Sequence, residues 1–465
     1  MYINKEKIPD YVINIARELI NNGHKAYIVG GAVRDLILDR TPKDFDIATS
    51  ALPDETLRIF PKSISTGAKF GSIVVIIENN EQEKIDVDIT TFREEENYFG
   101  GRWPNKIKFT KNIINDLSRR DFTINALAID INDLIDNVEI NQSIIIDPFK
   151  GIEDISNKII RAVGKPEDRF EEDGLRSYKA CRLAAELSFS IEHDTLNAIY
   201  KKRSVASQIS VERINQELKK LIRHSPKPSI GFLYLKKCGL LKIIIPELEL
   251  TENIVQPKWH KNDLFSHSLE TLDKAEDEIK VAALFHDIGK IKTMSIINDE
   301  IHFYGHAFEG SLLTKTILER LKFEKKEINE IENLIKLHMF DFELKAENSI
   351  SDHGIKKFII NAGGIGNVNK LIKLRIADGS STKSSFNPTE ILELQNRINK
   401  IVEQNNIIEI GSLNITGQDL INLGYTKGPL IGKILNNLLE LANLEPNTNT
   451  YHKLKDTALS RYPLN

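Results

Sequence analysis

The sequence predicts an α+β protein in which a mixed sheet-and-helix domain is followed by a long helical arm. Segments with the alternating or uniformly apolar pattern of strands are confined to the early part of the chain. From about residue 112 the apolar residues follow helical spacing, and this pattern fills almost all of residues 263–380. The 465 residues are enough for roughly two to four domains, each with its own core.

Composition narrows the class of protein. Apolar residues make up 41% and charged residues 28%, which excludes a disordered chain, a collagen-like fibre and a disulfide-stapled miniprotein. The 63 basic and 67 acidic residues nearly cancel, so any binding of nucleic acid must rely on a local basic surface. The two cysteines, the absence of a membrane-spanning apolar run and the charged first residues predict a cytoplasmic protein without membrane association.

The first elements are expected to be a helix, a strand and a second helix. Apolar residues between Val12 and Ile20 fall on one helical face, and a strand over residues 26–29 leads into Gly30 and Gly31. Amide groups at the start of a helix can receive a phosphate when no side chain blocks them. A plain tight turn is the alternative for two glycines alone. Arg34, one helical turn later, favours the phosphate site over a plain turn.

Carboxylates on two predicted strands indicate a metal site. We expect residues 43–50 to form a strand on which Asp44 and Asp46 point to the same side. Residues 72–92 have the pattern of a hairpin whose returning strand places Asp86 and Asp88 on one face. Because two adjacent carboxylates repel each other, a divalent cation such as Mg²⁺ stabilises them. A solvated strand face is the alternative for an isolated Asp-x-Asp pair.

Helical patterns dominate the rest of the chain. We expect helices over residues 117–131, 171–189 and 210–225, the last of them capped by Ser210. A proline-containing break at residues 224–229 indicates a junction.

Six motifs occur in the order that is typical of one family: GGAVRD, KDFDIATSALPDE, DITTFR, RRDFTINALA, DPFKGIEDI and EEDGLR. On these motifs the chain resembles the class II CCA-adding enzymes and the bacterial poly(A) polymerases, densely over about residues 20–225 and more loosely beyond. The resemblance implies a polymerase-beta-like nucleotidyltransferase head. It also assigns roles by position: Asp44 and Asp46 hold two Mg²⁺ ions, and Asp88 is the third catalytic carboxylate, with Asp86 as the weaker alternative. The residues implied to contact or support the incoming nucleotide in this head are Gly31, Arg34, Arg120, Asp121 and Asn125.

The resemblance also implies that the helix over residues 171–189 selects the base. Asp173 and Arg176, three residues apart, are expected to lie on one helical face and to make Watson–Crick-like hydrogen bonds to the base. A carboxylate accepts from the exocyclic amine of cytosine or adenine, whereas guanine and uracil present a carbonyl there. Lys179 and Arg182 are implied to contact the triphosphate. Lys179 replaces the usual arginine and therefore lacks the bidentate fork.

A glycine-containing segment between the head motifs is expected to be a mobile loop. It covers residues 92–109, and Gly100 and Gly101 have the character of a hinge between charged flanks. In the family, the equivalent loop helps to reshape the nucleotide pocket between C and A addition.

Histidines and aspartates in the helical arm predict a second metal site. His286 and Asp287 are adjacent, with His267 upstream and Asp378 downstream. This arrangement resembles the HD phosphohydrolase superfamily, in which four such residues bind one divalent metal, and these ligands suit a transition metal. Further histidines occur where metal-dependent HD domains often have them: His306 and His338. The resemblance implies hydrolysis of a small phosphoester, such as a 2′,3′-cyclic phosphate at a damaged tRNA end, and a metal-free HD fold is the alternative.

Together the two resemblances imply four segments: a nucleotidyltransferase head (1–140), a neck with the nucleotide-selecting helix (141–225), an HD body (226–384) and a helical tail (385–465). The function that they imply is Mg²⁺-dependent addition of C, C and A to the 3′ end of tRNA from CTP and ATP. The alternatives are a poly(A) or A-adding polymerase, an HD phosphohydrolase as the main activity, and a non-catalytic RNA-binding protein. Gly174, where poly(A) polymerases often have proline, and the lack of a basic carboxyl-terminal extension favour CCA addition. Candidate contacts to tRNA phosphates are Lys219, Lys220, Arg223 and Lys227, and a solvated basic helix end is the alternative.

Overall fold

The computed structural model describes residues 2–78, 84–99, 103–136, 140–252, 254, 263–341, 351–382, 386–403 and 410–464. The chain forms two compact units, Met1–Ile244 and Ile245–Asn465. The first unit contains the mixed sheet and the second is almost entirely helical, which confirms the predicted α+β class. The finer division into four segments stays a prediction. Among the described helices, none combines the length and the apolar character that a membrane span requires.

A seven-stranded mixed sheet is the centre of the first unit. Its order is Ile145–Ile146, Ala128–Asp130, Ala26–Val29, Asp46–Thr49, Lys84–Thr91, Ser72–Glu78 and Ser63–Ile64. Neighbouring strands are antiparallel except for the parallel pair formed by Asp46–Thr49 and Lys84–Thr91. The predicted hairpin is confirmed, and its returning strand buries Val87 and Ile89 while Asp86 and Asp88 are exposed. This alternation leaves a row of carboxylates on the polar face of the sheet.

The helices of the first unit surround this sheet and extend beyond it. The first helix buries Val12, Ile15, Ala16 and Leu19, as its apolar spacing predicted. The α-helices are Asp10–Asn21, Gly31–Ile37, Pro53–Ile59, Ile113–Ser118, Ile131–Asp136, Gly151–Ser156, Pro166–Glu172, Leu175–Leu187, His193–Lys201, Arg203–Ala206, Val211–His224, Pro228–Lys237 and Leu241–Ile244. Two short strand pairs accompany them: Tyr2–Ile3 with Ile140–Asn141, and Ile159–Ile160 with Ser190–Ile191.

One predicted helix is wrong. Instead of a helix over residues 117–131, the chain forms the helix Ile113–Ser118, the short 3₁₀ turn Thr123–Asn125 and the strand Ala128–Asp130. A short apolar run is compatible with either a buried helix or a buried strand. Here the strand wins because Ala128–Asp130 pairs with a neighbouring strand on each side in the interior of the sheet.

The segment expected to be a loop instead contains a β-hairpin. Arg93–Phe99 pairs antiparallel with Trp103–Phe109, while Gly100 and Gly101 lie outside the described residues. The base of this hairpin is fixed, since Arg93 donates to the carbonyl of Phe70 and its Nε lies 2.6 Å from a carboxylate oxygen of Glu95. The expected movement of the segment stays a prediction.

The second unit packs helices around an apolar interior. Its α-helices are Pro246–Glu249, Leu264–Lys274, Lys280–Phe285, Lys290–Thr293, His306–Arg320, Lys325–Leu337, Asp352–Ala362, Ile365–Ser380, Thr389–Glu403, Gly417–Asn422, Pro429–Leu444 and Tyr451–Arg461. Among the described residues of this unit, a small hairpin departs from the helical pattern: Ser295–Ile297 with Glu300–His302. Near the carboxyl terminus a separate apolar cluster includes Leu420, Ile434 and Leu454, so this segment has its own core.

Candidate active site and candidate metal centre

A polar cleft of about 670 Å³ lies in the first unit, a size suited to a small-molecule ligand. Residues far apart in sequence converge on it because the sheet, the turn after its strand Ala26–Val29 and the helix Leu175–Leu187 each form part of its wall. The predicted site residues that line it are Gly31, Asp46, Asp88, Arg120, Asp121, Asn125, Asp173, Arg176 and Lys179.

A glycine turn allows an arginine to approach the backbone at the edge of the cleft. Gly30 has φ +76° and ψ −136°, a backbone conformation that residues with a Cβ rarely adopt. A Cβ on Gly30 would lie 2.9 Å from Nη1 of Arg120 and 3.8 Å from a carboxylate oxygen of Asp46. The glycine is therefore needed both for the turn and for the position of the guanidinium group.

The carboxylates predicted to bind metal lie on or beside two neighbouring strands. The strand is shorter than predicted: it begins at Asp46, and Asp44 precedes it. The reason is that the partner strand ends at Val29, which pairs with Asp46, so the preceding residues have no strand to pair with. Asp44 is not among the residues that line the cleft, although its charge acts on both Asp46 and Asp88. Asp88 lies on the adjacent parallel strand, one residue before the pair Ile47–Ile89.

Burial and the repulsion between neighbouring carboxylates both raise the pKa of Asp46 and of Asp88. Desolvation raises the pKa of Asp46, and the carboxylates of Asp88 and Asp44 raise it further, while Arg120 opposes them. Desolvation also raises the pKa of Asp88, together with the charges of Asp44 and Asp86. Oxygen ligands that repel each other in this way fit a hard divalent cation such as Mg²⁺.

Arg120 is held from behind by a buried acid. Asp116 is fully buried, and its carboxylate accepts from Nη2 of Arg119 at 2.8 Å and from Nη2 of Arg120 at 3.3 Å. Burial would raise the pKa of Asp116, but the two arginines outweigh it and lower the pKa. Within the described residues Nε of Arg120 has no hydrogen-bond partner, which leaves a donor for a ligand in the cleft.

Arg34 lies behind the cleft instead of lining it. Its Nη1 donates to Oδ1 of Asn125 at 2.8 Å, and Asn125 donates in turn to Asp121 at 3.3 Å. Its Nη2 pairs with Asp35 at 2.8 Å, and the side chain is almost fully buried. The structure thus places Arg34 where it orients Asn125, whereas the sequence predicted direct contact with a triphosphate.

Asp173 is one of the two residues expected to read the base. It was predicted to be helical, but it lies between two helices. Its backbone is extended, with φ −143° and ψ 106°, and it links Pro166–Glu172 to Leu175–Leu187. The helix is interrupted here, and Gly174 packs so closely that a Cβ would lie 2.8 Å from the backbone of Ala206. Asp173 nevertheless lines the cleft beside Arg176.

Arg176 is fixed by neighbouring groups at the cleft wall. Its Nη1 lies 2.6 Å from a carboxylate oxygen of Glu172 and 3.1 Å from the carbonyl of Arg169. Its Nη2 donates to the carbonyl of Arg119 at 3.0 Å. These contacts hold the guanidinium group in one orientation.

The two remaining predicted contacts differ in placement. Lys179 lines the cleft, with Nζ 3.8 Å from Oδ2 of Asp121. Arg182 is not among the residues that line it. Arg182 instead pairs with Glu186 and, at 2.7 Å, with Glu217, so it joins two helices.

Several residues that line the cleft were not predicted: Phe70, Ser72, Arg93, Glu95, Arg119 and Arg213. The doubled arginine of RRDFTINALA could have indicated Arg119. No local pattern indicates Arg213, because the residue it contacts, Asp173, is 40 positions away. Arg213 lies on the helix Val211–His224. Ser210, which was expected to cap this helix, occupies the N-cap position without a side-chain hydrogen bond.

Histidines and aspartates also converge in the second unit. The four predicted ligands come together: Nε2 of His267 lies 3.1 Å from Asp378, and Nε2 of His286 lies 3.2 Å from Oδ2 of Asp287. On the other side, Oδ1 of Asp287 lies 3.3 Å from His306 and 3.7 Å from His338. These side chains form two sets of three candidate metal ligands, and within each set the ligand atoms lie within 4.8 Å of one another. The sets are His267–His286–Asp287 and Asp287–His306–His338, so they share Asp287.

Three of these imidazoles are oriented for coordination. Nδ1 of each faces a backbone carbonyl, at 2.8 Å for His286, 2.8 Å for His306 and 2.6 Å for His338. Donation from Nδ1 leaves Nε2, which points into the cluster, free to act as a metal ligand. Burial disfavours a proton on His286, yet Asp287 and Asp378 outweigh it and raise its pKa to about 10. The cluster therefore attracts positive charge, which fits a bound cation.

Three family models match the chain. They are the poly A polymerase head domain over residues 26–161, the "Probable RNA and SrmB-binding site of polymerase A" over residues 188–251, and the HD domain over residues 263–375. A CCA-adding enzyme of Geobacillus sp. (strain WCH70) is 41% identical over 377 residues, which cover 76% of this chain and 88% of the relative. The CCA-adding enzyme of Bacillus subtilis (strain 168) is 41% identical over 218 residues, 47% of this chain and 51% of the relative.

Solved structures share the fold over almost the whole chain. The Bacillus stearothermophilus CCA-adding enzyme in complex with CTP is 25% identical, with a TM-score of 0.64 over 97% of each chain. The Thermotoga maritima CCA-adding enzyme complexed with tRNA is 20% identical, with a TM-score of 0.53 over 97% of this chain and 95% of that one. At this lower identity the second likeness concerns the fold alone.

Proposed function

The chain belongs to the family of CCA-adding enzymes, and from that premise we propose that it adds C, C and A to the 3′ end of tRNA from CTP and ATP. The observation that carries the proposal is the cleft itself. Asp46, Asp88, Arg120, Asp173 and Arg176 all line it, so the proposed metal ligands, the proposed base-reading pair and a proposed phosphate contact share one cavity. Relatives named as CCA-adding enzymes, one of them solved with CTP, support it.

In this reaction the 3′ hydroxyl oxygen of the tRNA attacks the α-phosphorus of the nucleotide, and pyrophosphate leaves. The oxygen donors of Asp44, Asp46 and Asp88 fit Mg²⁺, which when bound neutralises phosphate charge and lowers the pKa of the attacking hydroxyl. Arg120 donates to phosphate oxygens through the N–H that is unpaired among the described residues. Lys179 adds a second positive charge at the same wall.

Base choice follows from donor and acceptor chemistry. Asp173 accepts from the exocyclic amine that cytosine and adenine share, and Arg176 donates to the ring nitrogen beside it. Uracil and guanine would place a carbonyl oxygen against the carboxylate, which leaves two acceptors facing each other. Asn125, oriented by Arg34, supports the ribose side through Asp121.

Two aspartates on one strand face provide a matched test of the catalytic site. Asp88 lines the cleft, whereas Asp86, two residues earlier, is not among the residues that line it. We expect Asp88→Ala to slow CTP addition to tRNA lacking its 3′ end by about a thousandfold or more, and Asp86→Ala to leave it near normal. Equal rates in the two variants would contradict the assignment of Asp88.

A second activity, metal-dependent hydrolysis of a small phosphoester such as a 2′,3′-cyclic phosphate, is proposed for the HD domain. It is supported by the six convergent ligands and by their burial, since only His306 and Asp378 keep more than about a tenth of their surface exposed. Imidazole and carboxylate ligands suit a transition metal.

Removing ligands tests this second site separately from the first. The double variant His286→Ala, Asp287→Ala is expected to lose bound transition metal, as measured by elemental analysis. It should also lose hydrolysis of a cyclic phosphate. Addition of CTP and ATP should remain near normal, because these residues belong to the second unit. A folded double variant that loses nucleotide addition would show that the two activities are not separate.

A further inference from the structure

An arginine from another helix contacts the base-reading carboxylate. Arg213, near the start of the helix Val211–His224, places Nη2 3.3 Å from Oδ2 of Asp173. Both side chains line the cleft, and about a fifth of each is exposed to solvent. The contact is therefore made within the proposed nucleotide site and not at a distant surface.

Asp173 needs such a contact because its own helix does not orient it. The residue is extended and lies outside Leu175–Leu187, so the side chain is not fixed by helical geometry. Its Oδ1 accepts from the amide of Leu175 at 3.0 Å, and Arg213 holds Oδ2. Each carboxylate oxygen has two acceptor sites, so this arrangement fixes the group and still leaves acceptors for a base.

Arg213 also retains unused hydrogen-bonding capacity. Its Nη1 is buried and has no partner among the residues that the structure describes. A buried hydrogen-bond donor without a partner destabilises the folded protein. In a binding site, a ligand that supplies the acceptor removes this penalty. The arginine is thus charged, partly buried and incompletely paired at the wall where a base is proposed to bind.

We propose that Arg213 is a positioning residue for Asp173 and thereby a determinant of base choice. The inference rests on the proposed function, in which Asp173 reads the exocyclic amine. Without Arg213 the carboxylate can rotate about its side-chain bonds, so the penalty against uracil and guanine decreases. The competing explanation is that Arg213 only ties two helices together.

A second ion pair between the same two helices provides the control. Glu217, one turn after Arg213 on its helix, pairs with Arg182 at 2.7 Å, and neither residue lines the cleft. Glu217→Gln therefore breaks a tie between the helices without touching the base-reading carboxylate. It is expected to lower thermal stability while the preference for CTP over UTP stays unchanged.

The test measures kcat/KM for CTP, ATP, UTP and GTP with tRNA lacking its 3′ end. We expect Arg213→Ala to raise UTP use relative to CTP by roughly threefold to tenfold, the factor for one ordinary hydrogen bond, with Arg213→Lys intermediate. In an Asp173→Ala background the same substitution should not change the ratio, because the carboxylate it positions is absent.

Several results would overturn the inference. An equal loss for all four nucleotides in folded Arg213→Ala would do so, and so would a change in the UTP-to-CTP ratio that is as large in the Asp173→Ala background as in the wild-type background. Wild-type protein that adds no nucleotide would overturn the proposed function and the inference with it. Wild-type protein that adds C, C and A beside an Arg213→Ala variant that discriminates normally would overturn the inference alone.

Discussion

Replacing Gly30 with alanine tests how the turn shapes the cleft. The residue occupies a backbone region that is essentially reserved for glycine, and forcing alanine into it costs about 1–3 kcal/mol. In a unit of this size each kcal/mol lowers the unfolding midpoint by about 2–4 °C. The new Cβ would also lie 2.9 Å from Nη1 of Arg120, so the guanidinium group must move away from its place over the cleft.

Gly164→Ala is the matched control for this prediction. Gly164 also has a positive φ, +68°, but a Cβ there would have nothing within 4 Å. We expect both variants to lose stability in thermal unfolding, and only Gly30→Ala to raise the KM for CTP. An unchanged KM in Gly30→Ala, or the same KM increase in both variants, would refute the argument that the glycine is required by Arg120.

Three further predictions concern base choice, tRNA binding and acid stability. Asp173→Ala should raise UTP and GTP incorporation relative to CTP and ATP, and an equal decrease for all four would make Asp173 structural. Removing the basic side chains of Lys219, Lys220 and Arg223 should weaken tRNA binding and flatten its dependence on salt, without altering base choice; an unchanged salt slope counts against this surface. The pKa of Asp116 is lowered, so its ionised form stabilises the fold above about pH 4 and this contribution is lost as pH falls through the folded-state pKa. Urea unfolding of Asp116→Asn should therefore become less pH-dependent below about pH 5, and a wild-type pH dependence would contradict this role.

Regular patterns in the sequence predicted those elements whose packing matches their local periodicity. The first helix and the hairpin Ser72–Glu78 with Lys84–Thr91 bury the residues that their spacing indicated. The strand Ala128–Asp130 was mistaken for a helix because three apolar-rich residues carry no periodicity of their own. Pairing on both sides within the sheet, which no local pattern reveals, decides its structure.

The candidate site shows the same limit at the level of side chains. The motifs identified Asp46, Arg120 and Asp173, and the structure brings all three into one cleft. Their supports were not predictable, since Arg34 acts through Asn125 from 91 residues away and Arg213 reaches Asp173 across 40. Such contacts depend on how helices and strands pack against each other. Local patterns in a single sequence reveal motifs and periodicity, but they do not reveal which distant residues come into contact.

Sequencing the products of nucleotide addition tests the central claim most directly. The substrate is tRNA lacking its 3′ end, incubated with CTP alone, with ATP alone, or with both. CTP alone should add two C residues, and both nucleotides together should complete C, C and A, after which addition stops. Long runs of A from ATP alone would indicate a poly(A) polymerase, and no addition under any condition would contradict the assignment of the cleft.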